Sequence, residues 1–140
     1  MADGFGARDG PIPYAARHLA DLIVRGSLAP NDPKTLAAWA RVLGRSRGSL
    51  RGCCEAAKVR PRAALDLARV LRLVRLRPER PGWSLSDFLD VSDDRSVRRL
   101  LRRGGLDATS ASSLTIGELV HRQTYIVRKL VLDELASLLD

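Results

Sequence analysis

The chain has 140 residues, 45% of them hydrophobic and 29% charged, a balance typical of one soluble globular domain. Only 4% are aromatic, and the abundance of leucine, alanine and arginine predicts an all-α fold. No apolar run approaches the roughly 20 residues that a membrane span needs, and residues 1–14 lack the order of a signal peptide. We therefore expect a cytoplasmic protein with no membrane partner.

The net charge of +8 is concentrated in one segment of the chain. Residues 41–80 contain twelve basic and three acidic residues, whereas the charges of 1–40 cancel and those of 81–140 nearly cancel. Dense positive charge raises the local concentration of polyanions, which indicates nucleic acid or another anionic surface as a partner. A solvated helix face would give the same charge, so the charge alone does not decide between the two.

The N-terminal third of the chain predicts a tail and two helices. Residues 1–10 contain three glycines and two aspartates and are expected to form a flexible tail, followed by a single helical domain over 11–140. Apolar residues at helical spacing predict a first helix that ends at Gly26. A turn rich in proline, asparagine and aspartate then leads to a second helix, which is expected to begin near Pro33 and to end at Gly44.

A third helix follows almost at once, and the spacing predicts a helix-turn-helix over 35–57. Such a unit needs a small residue in its first helix, a glycine in the turn able to take positive φ, and an apolar residue that locks the second helix. Ala40, Gly44 and Leu50 have these types at the required spacing, and Ser46 is a good N-cap. An ordinary αα-hairpin has the same pattern, but it need not coincide with the basic segment.

Two glycines, Gly48 and Gly52, lie inside the second helix of this unit. Each costs roughly 1 kcal/mol relative to alanine in a helix interior, so a reason for them is needed. Close packing against a neighbouring helix is one interpretation. The other is a bare surface that lets the main chain approach DNA, and the sequence leaves both open.

The next part of the chain predicts three more helices. A proline opens a long helix over 61–77, with apolar residues on one face and arginines mostly on the others. Ser84 is expected to cap a short helix, and Asp93 or Asp94 a basic one, both within 83–105.

A long C-terminal helix is predicted for 113–139, with an apolar stripe that Gln123 and Glu134 interrupt. The stripe would either pack in the core against the first two helices or form the seam of a homodimer. The sequence leaves both alternatives open.

The sequence contains few candidates for catalytic or metal-binding residues. His18 and His121 are isolated from each other and from the two cysteines along the sequence, so we expect no metal site. The adjacent Cys53 and Cys54 are expected to be core-filling thiols, because a vicinal disulfide is strained and the expected compartment is reducing. No serine, histidine and aspartate are arranged as a triad, so we expect neither enzymatic activity nor a cofactor.

Residues 35–76, TLAAWARVLGRSRGSLRGCCEAAKVRPRAALDLARVLRLVRL, resemble the first half of the DNA-binding domain of AraC/XylS-type transcription regulators. The small-residue helix, the LGRS turn, the second helix, the proline break and the following helix occur in that family's order. The resemblance implies two helix-turn-helix units joined by a linker helix, 61–77, with recognition helices in successive major grooves. The second unit would be 83–105, and its fit is poorer because its turn is short and it has no small–glycine pair.

The chain also departs from the family within the better-matching segment. Gly52 stands where the family usually has an arginine, and Lys58, Val59 and Arg60 precede the proline where the family has a glycine before Ser/Thr-Pro. A sensor domain of the family's usual kind does not fit in 140 residues, so inducer binding is not inferred.

These features predict a bacterial transcription regulator that binds double-stranded DNA with 46–57 as its recognition helix and lies at the nucleoid. The residues expected to face bases are Ser46, Arg47, Ser49 and Arg51. Those expected to hold phosphates are Arg45, Lys58, Arg60 and Arg62. In the second unit, the residues expected to contact DNA are Arg95, Arg98, Arg99 and Arg102, on or near a helix that also contains the acidic Asp94.

Two other functions compete with DNA binding as interpretations of the sequence. A helical adaptor that binds an acidic protein through its basic face would keep the helix-turn-helix as a scaffold. RNA binding is less attractive because the aromatic residues are scattered and form no stacking platform: Tyr14, Trp39, Trp83 and Tyr125.

Overall fold

The computed structural model describes residues 11–89, 94–103, 106, 114–123 and 126–139, and all regular secondary structure within these ranges is helical, as predicted. The eight α-helices described are α1 (Pro11–Ser27), α2 (Leu36–Leu43), α3 (Arg47–Ala56), α4 (Pro61–Leu76), α5 (Leu85–Phe88), α6 (Asp94–Arg103), α7 (Ile116–Arg122) and α8 (Lys129–Leu139). A 3₁₀ turn, Arg77–Glu79, follows α4. None of these helices combines the length and apolar character needed to cross a membrane. The predicted tail, 1–10, lies outside the described residues.

The core is built around α4, whose residues from Ala64 to Val74 are all buried. Helices α1, α2, α3, α5, α6 and α7 contact it, and α8 packs along α1. A helix that is buried all round is usually apolar all round, yet Arg69 and Arg72 of α4 are buried as well. The expectation that these two arginines lie on outer faces of the helix is therefore wrong.

Arg69 and Arg72 are buried because their guanidinium groups find acceptors outside α4. Arg69 donates from Nε and Nη2 to the Asp32 carboxylate at 2.9 and 2.7 Å. Burial lowers the pKa of Arg72, and the carboxylate of Asp32 opposes this effect. Arg72 donates at 2.7 to 3.0 Å to three main-chain carbonyl oxygens, those of Ala29, Pro30 and Phe88. These bonds fix the α1–α2 loop and the end of α5 to the central helix.

Asp66, the third buried charge on α4, binds the end of α6. Arg103 donates from Nε and Nη2 to its two carboxylate oxygens at 2.9 and 3.1 Å. This hydrogen bonding raises the pKa of Arg103. Arg62 Nε lies 3.5 Å from the same carboxylate. Asp66 therefore brings the start of α4 and the end of α6 together.

Two helix ends near the α1–α2 loop differ from the prediction. Helix α1 continues one residue past Gly26, and this glycine is required by packing, since a Cβ there would lie 2.6 Å from Trp39 Nε1. Helix α2 begins later than predicted and not near Pro33, because the Thr35 hydroxyl accepts a hydrogen bond from the third helical N–H at 3.0 Å and caps the helix.

The single helix predicted for 113–139 is wrong, because the structure has two helices there, α7, whose C-cap is Gln123, and α8, which begins at Lys129. Thr115 and Glu118 form a capping box that starts α7. The residues of 124–127 are threonine, tyrosine, isoleucine and valine, which lose side-chain freedom in a helix. Because α7 and α8 are separate helices, α7 contacts α4 while α8 packs along α1. Three side chains of α8 are buried: Val131, Leu132 and Leu135. Their burial favours packing of the predicted apolar stripe in the core over a homodimer seam.

The segment 83–105 begins with a helix of only one turn, α5. Ser84 caps it as predicted, and its N–H donates to Asp87 Oδ2 at 2.7 Å in a capping box. Asp94 is the first residue of α6, so it does not precede the helix as a cap. The other predicted cap, Asp93, lies outside the described residues.

Replacing Asp32 by alanine is expected to lower the free energy of unfolding by about 3 kcal/mol or more, because buried guanidinium groups would lose their carboxylate. Urea denaturation followed by circular dichroism measures the change. The control is Asp21→Ala, whose half-exposed carboxylate lies 3.7 Å from Arg25 Nη1. This exposed pair is expected to contribute less than about 1 kcal/mol. Equal losses in the two variants would contradict the structural importance of Asp32.

Candidate nucleic-acid interface

The α2–α3 turn has the geometry that a helix-turn-helix requires. Gly44 has φ +69°, in the left-handed region that glycine adopts without steric cost. The N–H groups of Gly44 and Arg45 donate to the carbonyl oxygens of Arg41 and Ala40, at 3.1 and 2.9 Å. Ala40 and Leu50 are buried in the core. Gly44 therefore has the positive φ that the spacing predicted, and Ala40 and Leu50 are buried as expected of the small residue and the apolar residue.

Helix α3 begins at its predicted N-cap. The Oγ of Ser46 accepts a hydrogen bond from the Ser49 N–H at 3.0 Å. Both serines are exposed, so their hydroxyl groups lie at the surface of the first turn. The buried side of the same helix is formed by Leu50 and Cys54.

The two glycines of α3 do not pack against another helix. A Cβ on Gly52 would meet nothing within 4 Å, and one on Gly48 would meet only Ser46 Oγ, at 4.0 Å. Both residues are exposed. Of the two interpretations that the sequence left open, close packing within the protein is therefore wrong. The outer face of α3, defined by Gly48 and Gly52, leaves the main chain uncovered.

On one side of this face, Arg45 is bound within the protein. Its Nη2 lies 3.0 Å from His18 Nε2 in α1, and the imidazole nitrogen accepts because a guanidinium has only donors. Its Nη1 donates to Ser49 Oγ at 3.2 Å and to Cys53 Sγ at 3.5 Å. Arg45 thus joins α1 to α3, and its contact with phosphate stays a prediction.

On the other side of the face, Arg47 and Arg51 are exposed one helical turn apart. They line a basic cleft together with Arg62 of α4 and Lys34 of the α1–α2 loop. The structure therefore brings three predicted residues together and adds Lys34, which the sequence analysis missed. Lys34 lies in a segment whose charges cancel, so the charge pattern held no signal for it.

The end of α3 places Lys58 in an unusual backbone conformation. Its φ is +62°, the one positive value that a non-glycine residue has within the described part of the chain. The N–H groups of Lys58 and Val59 donate to the carbonyl oxygens of Glu55 and Cys54, both at 3.0 Å, as in a Schellman motif. Glycine is the usual residue at this position. Lys58 and the adjacent Arg60, which is the N-cap of α4, are both exposed.

Helix α6 presents a second set of basic side chains. Four exposed arginines lie at the helical spacing that puts them on one face: Arg95, Arg98, Arg99 and Arg102. The opposite face is buried and apolar: Val97, Leu100 and Leu101. Asp66 contacts both Arg103, the last residue of α6, and Arg62 of α4, so the C-terminal end of α6 lies near Arg62 of the basic cleft.

The described residues hold no group of three metal-binding side chains.

Cys53 and Cys54 are free thiols, as predicted. Burial raises the pKa of Cys54 to about 12, and the neighbouring Cys53 and Glu55 add to this effect. A thiol that stays protonated at neutral pH is a poor nucleophile, so Cys54 serves packing.

Comparisons of the chain with protein-family models, with curated proteins and with solved structures gave no match. The likeness to AraC/XylS-type domains therefore remains a resemblance of residues 35–76.

The backbone of Lys58 yields a test of the interface geometry. Lys58→Gly is expected to raise the free energy of unfolding by about 1 kcal/mol, because glycine removes the steric cost of positive φ. Lys58→Ala removes the charge and keeps the Cβ, so it serves as the matched control and should change stability by less than about 0.5 kcal/mol. Urea denaturation compares the two variants, and equal stabilities would argue against the left-handed conformation.

Proposed function

We propose that this protein is a sequence-specific DNA-binding protein, acting as a transcription regulator at the bacterial nucleoid, with α3 as its recognition helix. The observation that carries the proposal is the outer face of α3, where Gly48 and Gly52 uncover the main chain beside the exposed Arg47 and Arg51. A helix with such a face can approach base edges in a major groove more closely than one covered by larger side chains. Arginine supplies the donors that guanine and phosphate accept.

One helix-turn-helix reads only a few base pairs, so useful affinity requires a second contact region. The arginine face of α6 supplies one candidate, since Asp66 holds the C-terminal end of α6 near Arg62 of the basic cleft. A second copy of the chain, joined through α8 where Leu130 and Leu138 are exposed, supplies the other. In either arrangement the DNA would contact more than one basic surface.

Binding to random duplex DNA is expected to depend steeply on salt. Fluorescence anisotropy between about 50 and 200 mM salt should give log affinity falling linearly with log salt, by about 0.9 per phosphate neutralised. The exposed arginines of α3 and α6 lead us to expect a slope equivalent to at least about four phosphates. Absence of binding at the lowest salt would overturn the proposal.

Replacing the α3 glycines by alanine is expected to increase the stability of the fold and to decrease its affinity for DNA. Gly48→Ala and Gly52→Ala should each raise the free energy of unfolding by about 1 kcal/mol, because alanine favours the helix and its Cβ meets no close neighbour. The same changes should weaken binding to a selected DNA site about tenfold, the loss expected when one base-edge contact is disturbed.

Gly117→Ala is the matched control, because Gly117 also lies inside a helix, α7, with open space around its Cβ position. It should stabilise the fold to a similar extent and leave the DNA affinity unchanged. Urea denaturation and anisotropy measure the two quantities. Unchanged affinity in all three variants would remove α3 from the interface.

A helical adaptor that binds an acidic protein is the competing proposal. It is favoured by a surface outside the helix-turn-helix, where Trp83 is 42% exposed and the Arg80 guanidinium lies 4.6 Å from the centroid of its ring. Tryptophan and arginine are enriched at protein–protein interfaces. Salt-sensitive retention on immobilised polyglutamate, together with no binding to DNA, would favour this function over the first.

A further inference from the structure

The basic cleft opens where the first turns of α2 and α4 meet one side of α3, and its volume is about 570 Å³. Three parts of the chain contribute the four basic side chains that line it: Lys34, Arg47, Arg51 and Arg62. No acidic side chain is among the described residues that line this cleft. Four positive charges thus converge on one concave surface, an arrangement that attracts a multiply charged anion.

The main chain adds positive charge at the same place, because the N-terminal turns of both α2 and α4 border the cleft. The first N–H groups of a helix have no partner within it, and the helix dipole places partial positive charge there. Helices α5 and α7 compensate this charge with Asp87 and Glu118 in their first turns. Neither α2 nor α4 has an acidic residue in its first turn.

The carboxylate of Asp66 does not neutralise the cleft. It lies 3.5 Å from Arg62 Nε, but both of its oxygens also accept from Arg103, at 2.9 and 3.1 Å. One negative charge is therefore shared by two guanidinium groups, and the pair of arginines keeps a net positive charge. An anion in the cleft would relieve the repulsion among its basic side chains.

We propose that the basic cleft binds phosphate groups. Arginine forms bidentate hydrogen bonds to phosphate oxygens, and helix N-termini bind phosphate through their N–H groups. The phosphates come either from the DNA backbone beside α3 or from a soluble phosphorylated compound. The first source rests on the proposed function, and it makes Arg47 and Arg51 phosphate-binding residues rather than readers of bases. The second source does not depend on DNA binding.

Isothermal titration of the full chain with sodium pyrophosphate at low salt tests the cleft directly. Saturable binding is expected, and Arg51→Ala and Lys34→Ala should each weaken it about tenfold, the loss typical of one charge-assisted hydrogen bond. The control is Arg122→Ala, an exposed arginine of α7 that does not line the cleft, and it should bind like the unaltered chain. Thermal melting verifies that each variant is folded, and Arg51→Gln replaces Arg51→Ala if that variant is not.

Absence of saturable pyrophosphate binding, or equal weakening in Arg122→Ala, would overturn the proposal. Competition with a labelled duplex then identifies the source. If pyrophosphate displaces the duplex from the unaltered chain, the cleft holds backbone phosphates. If pyrophosphate binds and the duplex does not, the proposed DNA-binding function fails, while the cleft remains a site for a soluble phosphorylated compound.

Discussion

The positions of the loop before α2, of α5 and of α6 depend on three charged side chains buried along α4. Asp66, Arg69 and Arg72 are spaced three residues apart, so they form a row on the central helix. Each binds a group outside α4, namely the end of α6, the carboxylate of Asp32, and three carbonyl oxygens. Burying such charges is costly unless every partner is in place, so these bonds favour one arrangement of the surrounding elements.

Some basic residues of the chain are bound within the protein, and others are exposed. Arg69, Arg72 and Arg103 bind acceptors of the protein itself, although two of them belong to the segment with the excess charge. The second group is exposed and is presented to an external anion, and it includes the arginines of α3 and those of α6 other than Arg103, together with Lys34, Lys58 and Arg62. The charge of the sequence therefore overstates the number of side chains that a polyanion meets.

Sequence patterns predicted the elements whose ends are decided by nearby residues. Gly44 and Ser46 act within a few residues of their own positions, and they mark the turn and the start of α3 correctly. The patterns failed where the partner is distant, as for Arg69 and Asp32, which are 37 residues apart. The apolar stripe of 113–139 continues from α7 into α8, so periodicity alone did not reveal that they are separate helices. The basic cleft was missed for the same reason, because only the fold brings Lys34 beside Arg51.

The pair of helices α2 and α3 is not a detachable module. Trp39 of α2 donates through Nε1 to the carbonyl oxygen of Leu22 in α1 at 3.1 Å, and Arg45 binds His18 of the same helix. On its other side, α3 packs against α4. A recombination event that moved only 35–57 into another protein would leave these groups without partners. The exposed surface of α3 therefore depends on the whole segment 11–76, and it would be altered more readily by substitution within that segment than by exchange of α3 alone.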